Sequence, residues 1–348
     1  MVRGLVRKSR EGQRHGRQQP RTFFQIAHKT ANGAMYRGLA EEVLSSRQFQ
    51  RYRGKVQLIF TSPPFPLNRK KRYGNRQGEA YREWLVSFAH KFRELLTKDG
   101  SIAIEMGNAW EPGKPVMSTL AMKTLLEFLE RGDFYLCQQF VAYNRARLPS
   151  PAQWVNVERS RVKDSFTHIW WMSPSTRPKA NNRDILKPYS LAMERLLSTR
   201  RYNPGRRPSE HSIGASSFLK DNGGAIPSNV LVVANTQAND EYILYCRGRG
   251  ISLQPARMPR ELPEFFIRFL TEKGDLVLDP FAGSNTTGAV AESLGRRWIS
   301  IEPNPEYIQG SKGRFRNLKK MLDDISERKP AAIGETDRAS SSPQGPKS

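Results

Sequence analysis

Two short stretches of this chain carry residue types that could do chemistry together. Thr61-Ser62-Pro63-Pro64-Phe65 ends the apolar run at 56–60, and Asp279-Pro280-Phe281-Ala282-Gly283-Ser284-Asn285-Thr286-Thr287 follows the apolar run at 276–278. Proline has no amide hydrogen, so the first turn offers carbonyls and one hydroxyl as acceptors, with few donors. Phe65 sets an aromatic face beside them. The exocyclic amine of a nucleobase suits such a clamp, because its hydrogens are accepted while its ring stacks, once the base has left the duplex. The second stretch reads as strand, turn and helix. An acid at the strand end, a glycine in the turn and hydroxyl or amide side chains at the helix start make a polar crevice at the carboxyl edge of a parallel sheet, where nucleoside ligands bind. Each stretch alone also fits a purely structural turn. Phe65 would then be core, while Gly283 would supply an unusual backbone angle and Ser284 or Asn285 would cap the helix.

The surrounding pattern supplies elements to hold both turns. Residues 56–61 are apolar, partly β-branched and stopped by Pro63-Pro64, as a buried strand is. Tyr81, Trp84, Leu85, Phe88, Phe92, Leu95 and Leu96 recur at helical spacing, which predicts one amphipathic helix ending at Asp99-Gly100, its aromatics in the core. A strand over 101–106, a helix over 118–131 and strands over 134–143 and 164–172 continue the alternation, which describes an α/β sheet of parallel character. The alternation is then lost through Pro174, Pro178, Pro188, Pro204 and Pro208, among many arginines. That composition suits an inserted, loop-rich, basic module, with a disordered linker as the alternative. Tyr189, Leu191, Met193, Leu196, Leu197 and Tyr202 offer it a small packed patch. Strands are expected again at 230–233 and 242–245. A helix after Pro259 presents Leu262, Phe265, Phe266, Phe269 and Leu270 on one face and leads into the strand at 276–278.

Charge points to the partner. The 348 residues, 37% of them hydrophobic, can bury one large or two moderate cores. Lys and Arg number 57 against 33 Asp and Glu, a formal charge of +24, and such an excess favours a polyanion, nucleic acid first. Residues 1–30 read as a disordered basic arm and 326–348 as a disordered tail rich in Ser, Pro, Ala and Gly, yet most of the positive excess lies between them. Cys137 and Cys246 form no CxxC or Cys/His pattern, so neither a disulfide scaffold nor a metal site is expected. With no run of 18 apolar residues and no signal-peptide core, the expectation is a cytoplasmic protein without a membrane partner.

Taken together, Ser62-Pro63-Pro64-Phe65 and the later Asp279-Pro280-Phe281-Ala282-Gly283-Ser284 resemble the signature of the β-group amino-methyltransferases of DNA, in which the catalytic motif precedes the cofactor motif. Within that group Ser-Pro-Pro-aromatic resembles the cytosine-N4-specific enzymes of type II restriction-modification, whereas adenine-N6 enzymes more often carry Asp or Asn in place of Ser62. The likeness spans about residues 30–320 and includes Gln254-Pro255-Ala256-Arg257-Met258-Pro259 and Arg296-Arg297-Trp298-Ile299-Ser300-Ile301-Glu302. Gln254 stands where His is usual, Asn285 where many members have Gly, and Leu39 where Asp is common.

The resemblance implies a Rossmann-like class I methyltransferase sheet in permuted order, with a catalytic half at 31–172, a target-recognition insertion at 173–229 and a cofactor half at 230–325. It implies S-adenosylmethionine as cofactor, with Asp279 near its ammonium and Phe281, Ala282, Gly283, Ser284, Asn285 and Thr286 around the turn. Glu302 would accept the ribose hydroxyls, and Phe265 or Phe266 would either cover the cofactor or serve as core. Ser62, Pro63, Pro64 and Phe65 are the implied catalytic set, transferring methyl directly to the amine of a flipped base. The chain has no Pro-Cys dipeptide, the arrangement expected for methylation through a cysteine adduct. Double-stranded DNA is the implied partner, met by Arg69, Lys70, Lys71, Arg72, Arg206 and Arg207, with a cognate restriction endonuclease acting separately. Adenine-N6 transfer in the same fold, and a non-catalytic nucleic-acid-binding protein, stay open as alternatives.

Overall fold

Strand Val56–Thr61 is buried along its whole length, which requires cover on both faces of its sheet. A computed structural model describes residues 24–65, 76–233 and 240–316 and shows how that cover is built. The strands are β1 (Ile26–Lys29), β2 (Gly33–Arg37), β3 (Val56–Thr61), β4 (Leu96–Gly107), β5 (Tyr135–Tyr143), β6 (Phe166–Ser173), the short pair β7 (Gly205–Arg206) and β8 (Ser212–Ile213), β9 (Val230–Val232), β10 (Leu276–Asp279) and β11 (Arg297–Glu302). Among the described residues, nine of them form one sheet in the order β1-β2-β11-β10-β3-β4-β6-β5-β9. The run from β2 to β4 is parallel, β6 lies antiparallel to both β4 and β5, and β1 is antiparallel to β2. The sheet is therefore mixed, parallel at its centre.

The helices are α1 (Ala40–Ser45), α2 (Gly78–Val86), α3 (Ala89–Leu95), α4 (Leu120–Gly132), α5 (Leu191–Thr199), α6 (Glu241–Arg247), α7 (Glu261–Leu270), α8 (Thr286–Ser293) and α9 (Pro305–Ser311). Alternate residues of the central strands feed two cores. Ile59, Ile104 and Leu278 pack with Val43, Leu85, Phe92 and Phe128 of α1–α4, whereas Leu58, Phe60 and Val277 pack with Leu262, Phe266, Val290 and Ile308 of α7–α9.

Three local expectations are corrected. Ile26–Lys29 is a strand on the β2 edge, so the segment expected to be a disordered arm contributes sheet. The helix expected from Tyr81 to Asp99-Gly100 is two helices, and Leu96 already begins β4, because the amides of Gly54 and Lys55 take the carbonyls of Glu94 and Leu95 and pull the chain into the sheet. Residues 242–245, expected as a strand, belong to α6. The Asp240 carboxylate caps the amide of Ile243, and Tyr242, Ile243, Tyr245 and Cys246 turn one buried face inward, so capping and packing override the β propensity of Tyr and Ile.

Residues 173–229, expected as an insertion, start at the amino-terminal edge of the parallel strands. Ser173 Oγ donates to the Gly100 carbonyl, and the Lys179 amide to that of Asp99. The expected patch is only loosely built, for no residue of α5 is buried.

Candidate active site

The two chemically distinctive turns are neighbours in space because β10 and β3 are neighbours in the sheet. Leu278 pairs with Ile59, so both strands end at the same crevice. The chain runs from β10 toward β11 on one side and from β3 toward β4 on the other, which makes this crevice the switch point of the sheet, where α/β folds bind ligands. Thr61 Oγ1 donates to Asp279 Oδ1 at 2.7 Å, across 218 positions of sequence, while Thr287 Oγ1 donates to Oδ2 at 2.7 Å and the Phe281 amide to Oδ1 at 3.1 Å. Burial pushes the Asp279 carboxyl up to about 6, with those three donors holding it lower than burial alone would. Asp279 is thus a brace between the two halves. The expected contact to an ammonium falls on a carboxylate that is buried and already bonded on both oxygens.

The turn after it is shaped by Gly283, at φ +52°, where an added Cβ would lie 2.2 Å from Gln254 Nε2. The Gly283 amide donates to Glu302 Oε2 at 2.8 Å and the Asn304 amide to Oε1 at 2.9 Å. Burial drives Glu302 up to about 7, against those two amides and with some help from the negative charge of Asp279. Gln254 Oε1 accepts from the Ser284 amide at 2.7 Å, so glutamine fills the usual histidine position as a turn holder. Asn285 adopts the left-handed conformation at φ 59°, which asparagine tolerates better than most residues, and Ser300 Oγ donates to its Oδ1 at 2.6 Å.

A cavity of about 310 Å³ opens over this crevice. Phe281, Gly283 and Glu302 line it, together with Gln254 and Trp84, and Ser62, Pro63, Pro64 and Phe65 line it as well. Ala282, Ser284, Asn285 and Thr286 are buried and lie outside its lining, supporting the turn rather than facing a ligand. Phe266 is wholly buried and stacks on Phe60, with ring centroids 5.3 Å apart, and Phe265 packs on Phe140, so both are core.

Several residues of the site have no signature in the sequence. Glu105, on β4, accepts from Thr167 Oγ1 at 2.9 Å and has the Ser62 hydroxyl nearby, and both favour its ionised form. Burial raises its carboxyl above the ordinary range, and the Arg147 charge pulls the other way. Gly107 ends β4 against the Phe65 ring, where a Cβ would come within 2.5 Å of Cδ2. Glu41 Oε1 accepts from Trp84 Nε1 at 2.5 Å, and Trp84 packs on Phe281 with centroids 5.3 Å apart, which fixes another wall. Lone acids and glycines inside strands look structural until the fold sets them beside Ser62 and Phe65.

Of the expected DNA contacts, Arg69, Lys70, Lys71 and Arg72 fall outside the described residues. Arg206 is exposed on β7 and pairs with Glu210 at 3.3 Å, and Arg207 Nη2 donates to the Asn203 carbonyl at 2.6 Å. Neither lines the cavity.

A buried carboxylate at the switch point of a parallel sheet, beside an acceptor-rich turn with an aromatic face, defines a nucleoside-dependent group-transfer enzyme. The DNA methylase family model matches residues 56–313, and the chain belongs to that family. It is 43% identical to the type II methyltransferase M.PvuII of Proteus hauseri over 305 residues, 87% of this chain and 88% of that protein. It is also 53% identical over 266 residues to the DNA adenine methyltransferase YhdJ of Escherichia coli (strain K12), covering 73% of this chain and 74% of that one. Among solved structures, the cytosine-N4-specific PvuII DNA methyltransferase superposes with a TM-score of 0.68 at 36% identity, over 87% of this chain and 95% of that one. The fold is thus the class I methyltransferase sheet, in the permuted order that the sequence implied.

Proposed function

We propose that this chain is a site-specific DNA methyltransferase that modifies the N4 amine of a cytosine flipped out of duplex DNA. The observation that carries this reading is Ser62, at the end of β3, facing the cavity with Phe65 beside it and the Glu105 carboxyl near it. S-adenosylmethionine is the methyl donor. The site fits it, since Glu302 lines the cavity as a buried carboxylate whose oxygens each accept only one backbone amide, leaving acceptor capacity for two ribose hydroxyls. Phe281 and Gly283 form the rest of that seat. When bound, the cofactor supplies an electrophilic methyl group on a sulfonium centre.

The chain's own residues handle the base and its protons. The cytosine amine is a poor nucleophile, because its lone pair is conjugated with the ring. The Ser62 hydroxyl and the Pro63 carbonyl accept its hydrogens and favour a tetrahedral nitrogen as charge develops there. With its hydrogen turned to the neighbouring Glu105, the Ser62 hydroxyl would keep the lone pairs of its oxygen available to the amine. The proton released by the nitrogen passes to Ser62 Oγ as the Ser62 proton moves to Glu105. Phe65, held against Gly107, fixes the ring so that its amine meets the methyl at attack distance.

Support for cytosine comes from Ser62 and from the match to an N4-specific structure. Adenine-N6 transfer is the second reading, favoured by the identity to YhdJ. Similarity to a type II methyltransferase supports a protective role in restriction-modification, with a cognate endonuclease acting as a separate protein. Modified-base sequencing of DNA from cells expressing the chain tests the reading and supplies the recognition site. N4-methylcytosine at one short motif, absent from cells carrying Ser62→Ala, is expected, and unmodified DNA in both would refute it.

A further inference from the structure

The segment joining β5 to β6, residues 144–165, is far longer than the usual hairpin connection of about 2–5 residues and carries only one short helical turn, Gln153–Val157, within it. Strand direction decides where it stands. Thr167 of β6 pairs with Gly107, the last residue of β4, and Gly107 touches Phe65, so the loop leaves the sheet at the catalytic edge. It is also built to stay there. The Asn144 amide donates to the Ser165 carbonyl and closes its base, Asn108 Nδ2 donates to Asp164 Oδ1 at 2.8 Å, Arg161 Nε donates to the Pro115 carbonyl at 2.9 Å, and Trp154 packs on Trp110 with centroids 5.6 Å apart.

What the loop shows to solvent is unusual for a passive connection. It carries Arg145, Arg147, Arg159, Arg161 and Lys163 against Glu158 and Asp164, and among the described residues none of those five cations forms an ion pair. Both acids have neutral partners, Glu158 with Gln153 and Asp164 with Asn108. Leu148, Val157 and Val162 are 80%, 70% and 87% exposed. A solvated surface loop ordinarily intersperses carboxylates among its cations and hides its aliphatics. A regular polyanion with apolar sugar edges complements both features.

We propose that the 144–165 loop is a DNA-docking wall of the catalytic cleft. Arg145, Arg159 and Lys163 grip backbone phosphates of the duplex beside the flipped base, and the exposed aliphatics pack on its sugars. This rests on the methyltransferase reading above and adds to it a surface distinct from the 173–229 insertion, whose first residues are tied to the opposite edge of the sheet. Phosphate contacts position the duplex without reading sequence, so the loop sets affinity and register and leaves base choice elsewhere.

Salt dependence of DNA binding is the test. A triple variant, Arg145→Gln, Arg159→Gln and Lys163→Gln, is compared with wild type and with a control carrying Lys55→Gln, Lys98→Gln and Lys273→Gln, exposed cations near the amino-terminal edge of the strands. Each lost phosphate contact flattens the slope of log affinity against log salt by about 0.9, so the loop variant should be shallower than wild type by roughly 2.7. Its affinity should fall equally for target and unrelated duplexes, with S-adenosylmethionine affinity and thermal midpoint unchanged, and the control should match wild type. A loop variant with the wild-type slope, or a control flattened as much, would overturn the docking wall while leaving the methyltransferase reading intact. Wild-type protein that neither binds nor methylates DNA would overturn both.

Discussion

Cofactor affinity should depend on pH through Glu302. In the free site this carboxyl titrates near 7, because burial opposes its charge more than the Gly283 and Asn304 amides favour it. Only the ionised form has acceptors for both ribose hydroxyls, so binding selects that form and affinity is lost as pH falls through the raised value. For a group titrating near 7 that must be ionised, apparent Kd rises about tenfold between pH 8 and pH 6, or about 1.4 kcal/mol. At pH 6 roughly nine-tenths of free sites are protonated, so binding there releases close to one proton, by the same linkage. Isothermal titration in two buffers of different ionisation enthalpy reads both quantities. Glu302→Gln should bind about 10–100-fold more weakly at pH 8, as expected on losing hydrogen bonds to a charged group, and should show neither the pH dependence nor the proton release. Equal wild-type affinity at pH 6 and pH 8, with no proton released, would refute the role given to Glu302.

Other parts of the site make separate predictions. Ser62→Ala and Glu105→Gln should each lower single-turnover methylation by about 10²-fold or more, the usual scale for a lost proton-transfer partner, with cofactor Kd within about twofold of wild type. Because the Glu105 carboxyl is raised by burial, the acidic limb of the wild-type pH–rate profile should lie above the ordinary glutamate range, with activity falling as pH drops through it, and Glu105→Gln should remove that limb. Gly107→Ala drives a methyl group against Phe65 and should cut turnover by up to about 10²-fold through misplacement of the base, while cofactor titration stays normal. Arg314 donates to the Ser284 carbonyl at 2.8 Å and pairs with Asp240 at 3.2 Å behind the cofactor turn, both side chains mostly buried. Arg314→Leu leaves that carboxylate unpaired and should cost about 3–5 kcal/mol in denaturant unfolding.

Residues with unusual local requirements could be read from the sequence, and those whose role depends on a distant partner could not. Ser62 to Phe65 and the turn at 279–287 stood out because Pro-Pro and Phe-Ala-Gly interrupt apolar runs. Their adjacency was implied only by resemblance, since nothing local says that β10 lies beside β3. The bracing role of Asp279 was hidden for the same reason. A strand-end acid looks available until Thr61, from the other half of the chain, takes one of its oxygens. Glu105 and Gly107 were silent because one acid and one glycine in an apolar strand carry no pattern. The expected strand at 242–245 failed because the Asp240 cap and the packing of α6 outweigh β propensity, and β propensity is the weaker guide.

The measurement that bears most directly on the central claim is the identity of the methylated nucleoside. Purified protein, duplex DNA containing the target site and methyl-labelled S-adenosylmethionine are combined, the DNA is digested, and the nucleosides are separated. The account predicts label in N4-methylcytosine, lost with Ser62→Ala while that variant still binds cofactor. Label in N6-methyladenine would contradict the base assigned to the Ser62 turn, and no label despite intact cofactor binding would contradict the enzyme itself.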